Sequence, residues 1–108
     1  MPKANGNQKG KRGEREVANL LTANGFPARR GQQFSGSPDS PDVVCEIFGD
    51  CNIEAKYRET FSINDVYTTI DKAREDDPDR FPQVWYRKNG KKWIVIMEAE
   101  DFLNVIKN

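Results

Sequence analysis

Residues 41–56 read PDVVCEIFGDCNIEAK. Two runs rich in valine and isoleucine flank Phe48-Gly49-Asp50, which is a hairpin signal. Side chains alternate faces along a strand, and residues paired across a hairpin share a face. With a three-residue loop at 48–50, Ile47 faces Cys51, Cys45 faces Ile53 and Val43 faces Ala55, so one face is wholly apolar. The other face sets Asp42 opposite Lys56, Val44 opposite Glu54 and Glu46 opposite Asn52. A slip of one residue would mix the two classes, so the pattern favours this register. In it Asp42 and Glu54 are diagonal neighbours, roughly 7–8 Å apart at the backbone, with Lys56 beside both.

A carboxylate or ammonium buried without a partner costs several kcal/mol. Either these three groups neutralise one another or something else sits among them. Two carboxylates converging with a carbonyl oxygen and waters are how Mg²⁺ is held. An adjacent lysine can orient or deprotonate a water, or offset charge developing on a phosphate. An ordinary cross-strand Asp–Lys pair plus a lone glutamate fits the same D-x₁₁-E-x-K spacing, and the spacing leaves both open. Pro38-Asp39 repeats the Pro-Asp pair, but Asp42 leads directly into Val43-Val44 and falls on the Glu54 face.

Outward from this hairpin the elements follow by pattern. Val17, Ala18, Leu20 and Leu21 recur at helical spacing, which predicts a helix from about Lys11 to Asn24 with Gly25 as its stop. FPARR is a short candidate strand, and GQQFSGSPDSP is a loop. Ser62 reads as an N-cap with Asp65 three residues on, opening a helix that carries Ile63, Val66, Tyr67, Ile70 and Ala73 along one face and ends before Pro78. Residues 83–88 and 91–97 read as a second hairpin about Asn89-Gly90. AEDFLNVI closes the chain as a short helix with Phe102, Leu103 and Ile106 on one side. This order predicts one small α/β domain with a mixed central sheet flanked by helices.

The 108 residues suit a single core. No apolar run approaches membrane-spanning length and no signal-peptide pattern is present, so a soluble, cytoplasmic protein is expected. The chain has no histidine, which excludes a histidine base or metal ligand, and its two cysteines are too few for a structural zinc site. Cys45 and Cys51 fall on the apolar face and read as buried, reduced thiols. Net charge is zero, yet residues 1–31 carry seven basic side chains against two acidic ones. A basic amino-terminal third suits a polyanion.

The residues carry a resemblance. Pro41-Asp42 followed by Glu54-Ala55-Lys56 resembles the signature of the PD-(D/E)XK nucleases. Lys9-Gly10-Lys11-Arg12-Gly13-Glu14-Arg15-Glu16-Val17 is similar to the K-G-x-x-x-E-R-E-L opening of archaeal-type Holliday-junction resolvases and their phage relatives. Gly25-Phe26 with Arg29-Arg30 resembles the strand that follows. The resemblance runs from about Lys9 to Lys56; beyond it, element order agrees, and the segment from Met97-Glu98 to Phe102 is similar to the ending of small phage nucleases.

The resemblance implies a restriction-endonuclease-like core over residues 9–108; the polar, Gly/Asn-rich residues 1–8 before it read, by composition, as a flexible basic segment. It implies an endonuclease that hydrolyses DNA phosphodiesters with a metal-activated water, using Mg²⁺ or, in substitution, Mn²⁺. Asp42 and Glu54 would bind the metal, Glu14 would help hold it or its water, and Lys56 would serve the attacking water. Arg15 and Arg30 would contact DNA, within a basic surface of Lys9, Lys11, Arg12 and Arg29. A homodimer acting on a four-way junction is implied as well. Ser35 and Ser37 could donate hydrogen bonds to phosphate, or belong to a plain loop.

Other residues read more simply. Glu46 reads first as a solvated strand-edge charge, with support of the acid pair as the alternative. Glu16 reads as surface, pointing away from Glu14. Trp85, Tyr86 and Trp93 read as core or dimer interface, with base stacking the alternative. The acidic run from Glu75 to Asp79 reads as a solvated loop. The competing functions are a non-catalytic DNA-binding or assembly module, a nicking or repair nuclease without junction preference, and a nuclease acting on RNA. Three carboxylates repel phosphate unless a cation intervenes, and a binding module has no need of them.

Overall fold

A computed structural model describes residues 6–31 and 41–107. Helix α1 spans Gly6–Ala23, strand β1 Ala28–Arg30, β2 Val43–Cys45 and β3 Cys51–Tyr57. Helix α2 spans Ile63–Asp76, β4 Phe81–Arg87, β5 Ile94–Ile96 and α3 Ala99–Lys107. The strands form one sheet in the order β1-β2-β3-β4-β5. Among the described residues only the β3–β4 pair is parallel, and α2 is the crossover a parallel pair requires. The mixed sheet and the order of elements are as the sequence predicts.

Local chemistry explains the helix ends. The Phe26 amide bonds the Leu21 carbonyl (2.9 Å) and the Gly25 amide bonds the Thr22 carbonyl (3.1 Å), a Schellman closure that needs Gly25 at φ +92°. α1 begins at Gly6 rather than near Lys11, because its polar first turns carry no apolar period to reveal them. Ser62 and Asp65 exchange the two bonds of a capping box, at 3.1 and 2.8 Å.

The core has two parts, one on each side of the sheet. Val17, Ala18 and Leu21 of α1 pack with Val43, Cys45, Ile53, Ala55 and Trp85. Val66 and Ile70 of α2 pack with Val84, flanked by Phe61, Tyr86 and Ile96. Cys45 and Cys51 are buried free thiols, as expected. α1 lies close to β3 at Gly13, where a Cβ would come within 3.0 Å of Tyr57 Cβ and 3.4 Å of Trp93 Cη2. Among the described residues no helix is long and apolar enough to cross a membrane.

Both expected hairpins are present in kind but differ in register. Val43 pairs with Ile53 rather than Cys45 doing so. Glu46–Phe48 wind into a 3₁₀ turn, so five residues separate β2 from β3 and Ile47 is turned out to solvent. The shift is two residues, which preserves the faces because the strand period is two. In β4–β5, Tyr86 pairs with Ile94, and β5 starts three residues later than expected. The Lys91 amide does close a tight turn onto the Lys88 carbonyl (3.1 Å) with Gly90 at φ +75°. Trp93 nevertheless leaves the ladder to pack against the α1 core and donate to Glu16.

Ile53 is 1% exposed and joins β2, β3 and the α1 core. Ile53→Ala should lower unfolding stability by roughly 2–5 kcal/mol, the usual cost of such a cavity. Urea unfolding followed by tryptophan fluorescence measures it; a change below about 0.5 kcal/mol would mean this contact is not central.

Candidate active site

Asp42 is anchored at three points. Its amide donates to the Ile53 carbonyl (2.9 Å), its carbonyl accepts from the Gly31 amide (2.9 Å), and its Oδ2 accepts from the Ala55 amide (2.9 Å). Its carboxylate therefore stands where β2 begins against β3. In the observed register Asp42 lies across from Glu54, not from Lys56 as the three-residue loop would have it. The closer pairing brings the two acids together directly, with a hydrogen bond between their side chains. Burial, then the neighbouring Asp42 charge, pushes the Glu54 carboxyl up to about 9. Lys56, two residues on, shares the Glu54 face and draws that value down, but not enough to restore ionisation at neutral pH.

A half-buried Glu54 that keeps its proton beside Asp42 marks a donor set short of positive charge. A hard divalent ion prefers carboxylate oxygens and supplies the missing charge. Asp42 and Glu54 thus fit such an ion by their chemistry. Among the described residues no group of three or more acids comes together as a metal cage. Asp39 lies outside the described residues.

Glu14 is on α1 and is buried, and Arg30 of β1 holds its Oε1 through Nε (3.0 Å) and Nη2 (2.9 Å). α1 covers the Val43–Ile53–Ala55 face, whereas Glu54 and Lys56 alternate to the other face. The structure brings Glu14 and Arg30 together, and Asp42, Glu54 and Lys56 together, as two groups.

The basic residues of α1 divide. Lys11 and Arg15 are exposed. Lys9 pairs with Glu59 (3.3 Å) and Arg12 with Glu16 (3.0 Å). Arg29 is exposed on β1 and donates to the Arg30 carbonyl (3.3 Å). Ser35 and Ser37 lie outside the described residues. Glu46 is exposed at the 3₁₀ turn, away from the acid pair's ladder positions.

Glu16 is not plain surface. It accepts from Arg87 Nε (2.8 Å) and Nη2 (3.2 Å), from Trp93 Nε1 (3.1 Å) and from Arg12. These partners hold its carboxyl below the usual range despite partial burial. Arg87 also lies 4.1 Å from the Tyr57 ring centroid, with Lys9 at 4.6 Å. Tyr57 Oη in turn donates to Asn89 Oδ1. Sequence reasoning missed this cluster because its members are 71 and 77 residues apart. The i, i+4 spacing of Arg12 and Glu16 was its only local sign.

A mixed sheet between helices, with an acid pair and a lysine at the junction of β2 and β3, is the architecture of the PD-(D/E)XK nuclease superfamily. The model of the family described as archaeal Holliday junction resolvase (Hjc) matches residues 5–101. The chain belongs to that family. Its structure is similar to that of Hjc, a Holliday junction resolvase from Archaeoglobus fulgidus, with a TM-score of 0.53 and 25% identity. That likeness covers 82% of this chain and 72% of the other. No curated protein sequence matches the chain.

The acid pair makes a pH-dependent contribution. The folded chain keeps a proton on Glu54 that the unfolded chain releases near pH 4.5, so stability without a cation falls as pH rises from about 4.5 toward about 9. Glu54→Gln, neutral throughout, should flatten that decline. Urea unfolding in EDTA across this range checks it; parallel slopes for the two proteins would contradict the placement of the charge.

Proposed function

We propose that this chain is a Mg²⁺-dependent endonuclease that cuts four-way DNA junctions as a homodimer. The observation that carries the chemistry is the Asp42–Glu54 pair beside Lys56: two acids drawn together on a rigid strand junction, lacking one positive charge. Family membership and the name of the similar Archaeoglobus protein support the junction as substrate. On this reading Asp42 and Glu54 hold the divalent ion, and Mn²⁺ can replace Mg²⁺ because both take oxygen ligands. Such an ion, when bound, supplies positive charge against the phosphate and makes a water more acidic.

The chain's own groups do the rest. The Ala55 amide fixes the direction of the Asp42 carboxylate. Glu54 gives up its proton when positive charge arrives, since that proton is held by burial and by the Asp42 charge. Lys56 orients the water for attack on phosphorus and faces the charge that builds on the phosphate oxygens; as the new P–O bond forms and the bond to the leaving oxygen breaks, the water's proton passes to solvent and the leaving oxygen takes one from solvent. Arg30 meets the DNA backbone; phosphate then takes the place of Glu14 as its partner and frees Glu14 to hold a water from α1. Lys9, Lys11, Arg12, Arg15 and Arg29 provide the basic surface along which the duplex lies, with Ser35 and Ser37 as phosphate donors.

The dimer has its own support. Phe102, Leu103 and Ile106 of α3 are 51%, 53% and 64% exposed, as are Ile63 (64%) and Tyr67 (56%) on α2. An amphipathic helix with an uncovered apolar face is a surface suited to a second copy.

Two measurements test the proposal. Labelled junction, linear duplex and single-stranded DNA of one sequence are incubated with Mg²⁺ or EDTA. Paired symmetric cuts near the branch are expected, absent in EDTA and slowed about 10²–10⁴-fold by Lys56→Ala. Binding without cleavage under every divalent ion would overturn the enzyme reading, and equal cutting of all three would remove the junction preference. Sedimentation should give a dimer that Leu103→Glu dissociates; a native monomer at micromolar concentration would remove the homodimer.

A further inference from the structure

The turn Arg87-Lys88-Asn89-Gly90-Lys91-Lys92 lies outside the group of Asp42, Glu54 and Lys56. It frames a cavity of about 510 Å³, a size that admits one small organic ligand. Phe61, Tyr86 and Ile94 form its apolar wall, and Lys88, Lys91 and Lys92 line it as well. The two rings stack with centroids 4.9 Å apart and planes at 27°. Tyr86 Oη donates to the Arg58 carbonyl (3.0 Å), which sets the ring in place before any ligand arrives.

The charges around the cavity do not cancel. Arg87, also in the lining, is taken up by Glu16 at 2.8 Å. Glu59, its single acid, already accepts from the Asn89 amide (2.7 Å) and Lys9 Nζ (3.3 Å). Among the described residues no ion pair engages Lys88, Lys91 or Lys92. An aromatic wall remains under three ammonium groups, of which Lys88 feels the Glu59 carboxylate while Lys91 and Lys92 are in no ion pair among the described residues. Tyr86 pairs with Lys56 in the parallel β3–β4 ladder, so the two residues share a face about one strand spacing apart, roughly 4.8 Å. The cavity therefore adjoins the lysine of the candidate active site.

We propose that this cavity is a second DNA subsite, in which the Phe61–Tyr86 wall stacks a single unpaired nucleobase while Lys88, Lys91 and Lys92 hold the phosphates that flank it. The subsite rests on the DNA reading above and adds to it a place for a base pulled out of the stack next to the scissile strand. The chemistry is that of single-strand recognition. Every base has a π-face, so aromatic stacking tolerates any sequence, and lysines track the backbone. A second copy of the chain is a poorer occupant, because a two-fold contact centred here would set the lysines of two copies against one another.

The test uses the full chain and a four-way junction with 2-aminopurine at the branch, without cleavage, in EDTA or with Ca²⁺ in place of Mg²⁺. Native protein should change the 2-aminopurine emission on binding. Phe61→Leu should remove most of that change and weaken junction binding roughly tenfold, the loss of one base stack, while plain duplex binding stays as it was. A thermal melt confirms that this variant folds. The exposed double variant Lys91→Ala/Lys92→Ala should lower the slope of log affinity against log salt by roughly 1–2. With 5-iodouracil at the branch, crosslinks should map to Phe61 or Tyr86.

Junction binding by native protein with emission, affinity and salt slope unchanged in both variants would overturn this subsite and leave the nuclease reading intact. Variants that alter the sedimentation of free protein but not its DNA binding would make the cavity a contact between copies, which also overturns it. Failure of native protein to bind any DNA would overturn the DNA reading itself, and the subsite with it.

Discussion

The bond from the Ala55 amide to the Asp42 carboxylate is the constraint on which fold and site both depend. β2 and β3 share one ladder pair, Val43 with Ile53, so little backbone bonding holds them in register. Asp42 supplies the rest with its side chain and both of its backbone groups, tying Gly31, Ile53 and Ala55 to one residue. A buried amide without an acceptor would be costly, and the carboxylate is a stronger acceptor than a carbonyl. The same anchoring aims the carboxylate at Glu54. An acid that closes a sheet cannot drift, which is the pre-organisation a reaction at phosphate needs.

The apolar floor beneath the pair has a second consequence. Val43, Ile53 and Ala55 press against α1, which leaves Asp42, Glu54 and Lys56 on the opposite face, the one on which α2 packs. Burial, with the Asp42 charge beside it, is then enough to hold a proton on Glu54. The resting protein keeps the pair together with the proton that Glu54 holds, because a neutral Glu54 does not repel the Asp42 carboxylate.

A different network fastens the basic helix to the sheet. Gly13 lets α1 approach β3, and Glu16 then reaches Arg87, Trp93 and Arg12. Arg87 and Lys9 close over the Tyr57 ring. Several cations of a formally basic region are thereby spent on internal partners, while Lys11 and Arg15 on α1 and Lys88, Lys91 and Lys92 at the far turn face solvent. Net charge by segment is thus a poor map of where a polyanion would be received; the map depends on which cations are already paired. The neutral chain as a whole still presents local positive surfaces.

The sequence by itself determined the order of the elements, the mixed sheet, both capping signals of α1 and α2, and the division of residues 42–45 and 53–56 into an apolar face and a charged one. These are local or periodic properties, and a period of two survives even a register error of two residues. The opening motif on α1 and the Pro-Asp and Glu-x-Lys pairs also pointed to the family, whose match extends well past Lys56 to residue 101. Tertiary structure decided the rest. The 3₁₀ turn at Glu46–Phe48 moved Asp42 from Lys56 to Glu54, the departure of Trp93 shortened β5, and Arg30 took Glu14. Each outcome turns on a contact between residues distant in sequence, where burial and pairing outweigh local preference. No spacing rule along the chain can report which of several cations reaches a given carboxylate first, because that depends on how closely two elements pack.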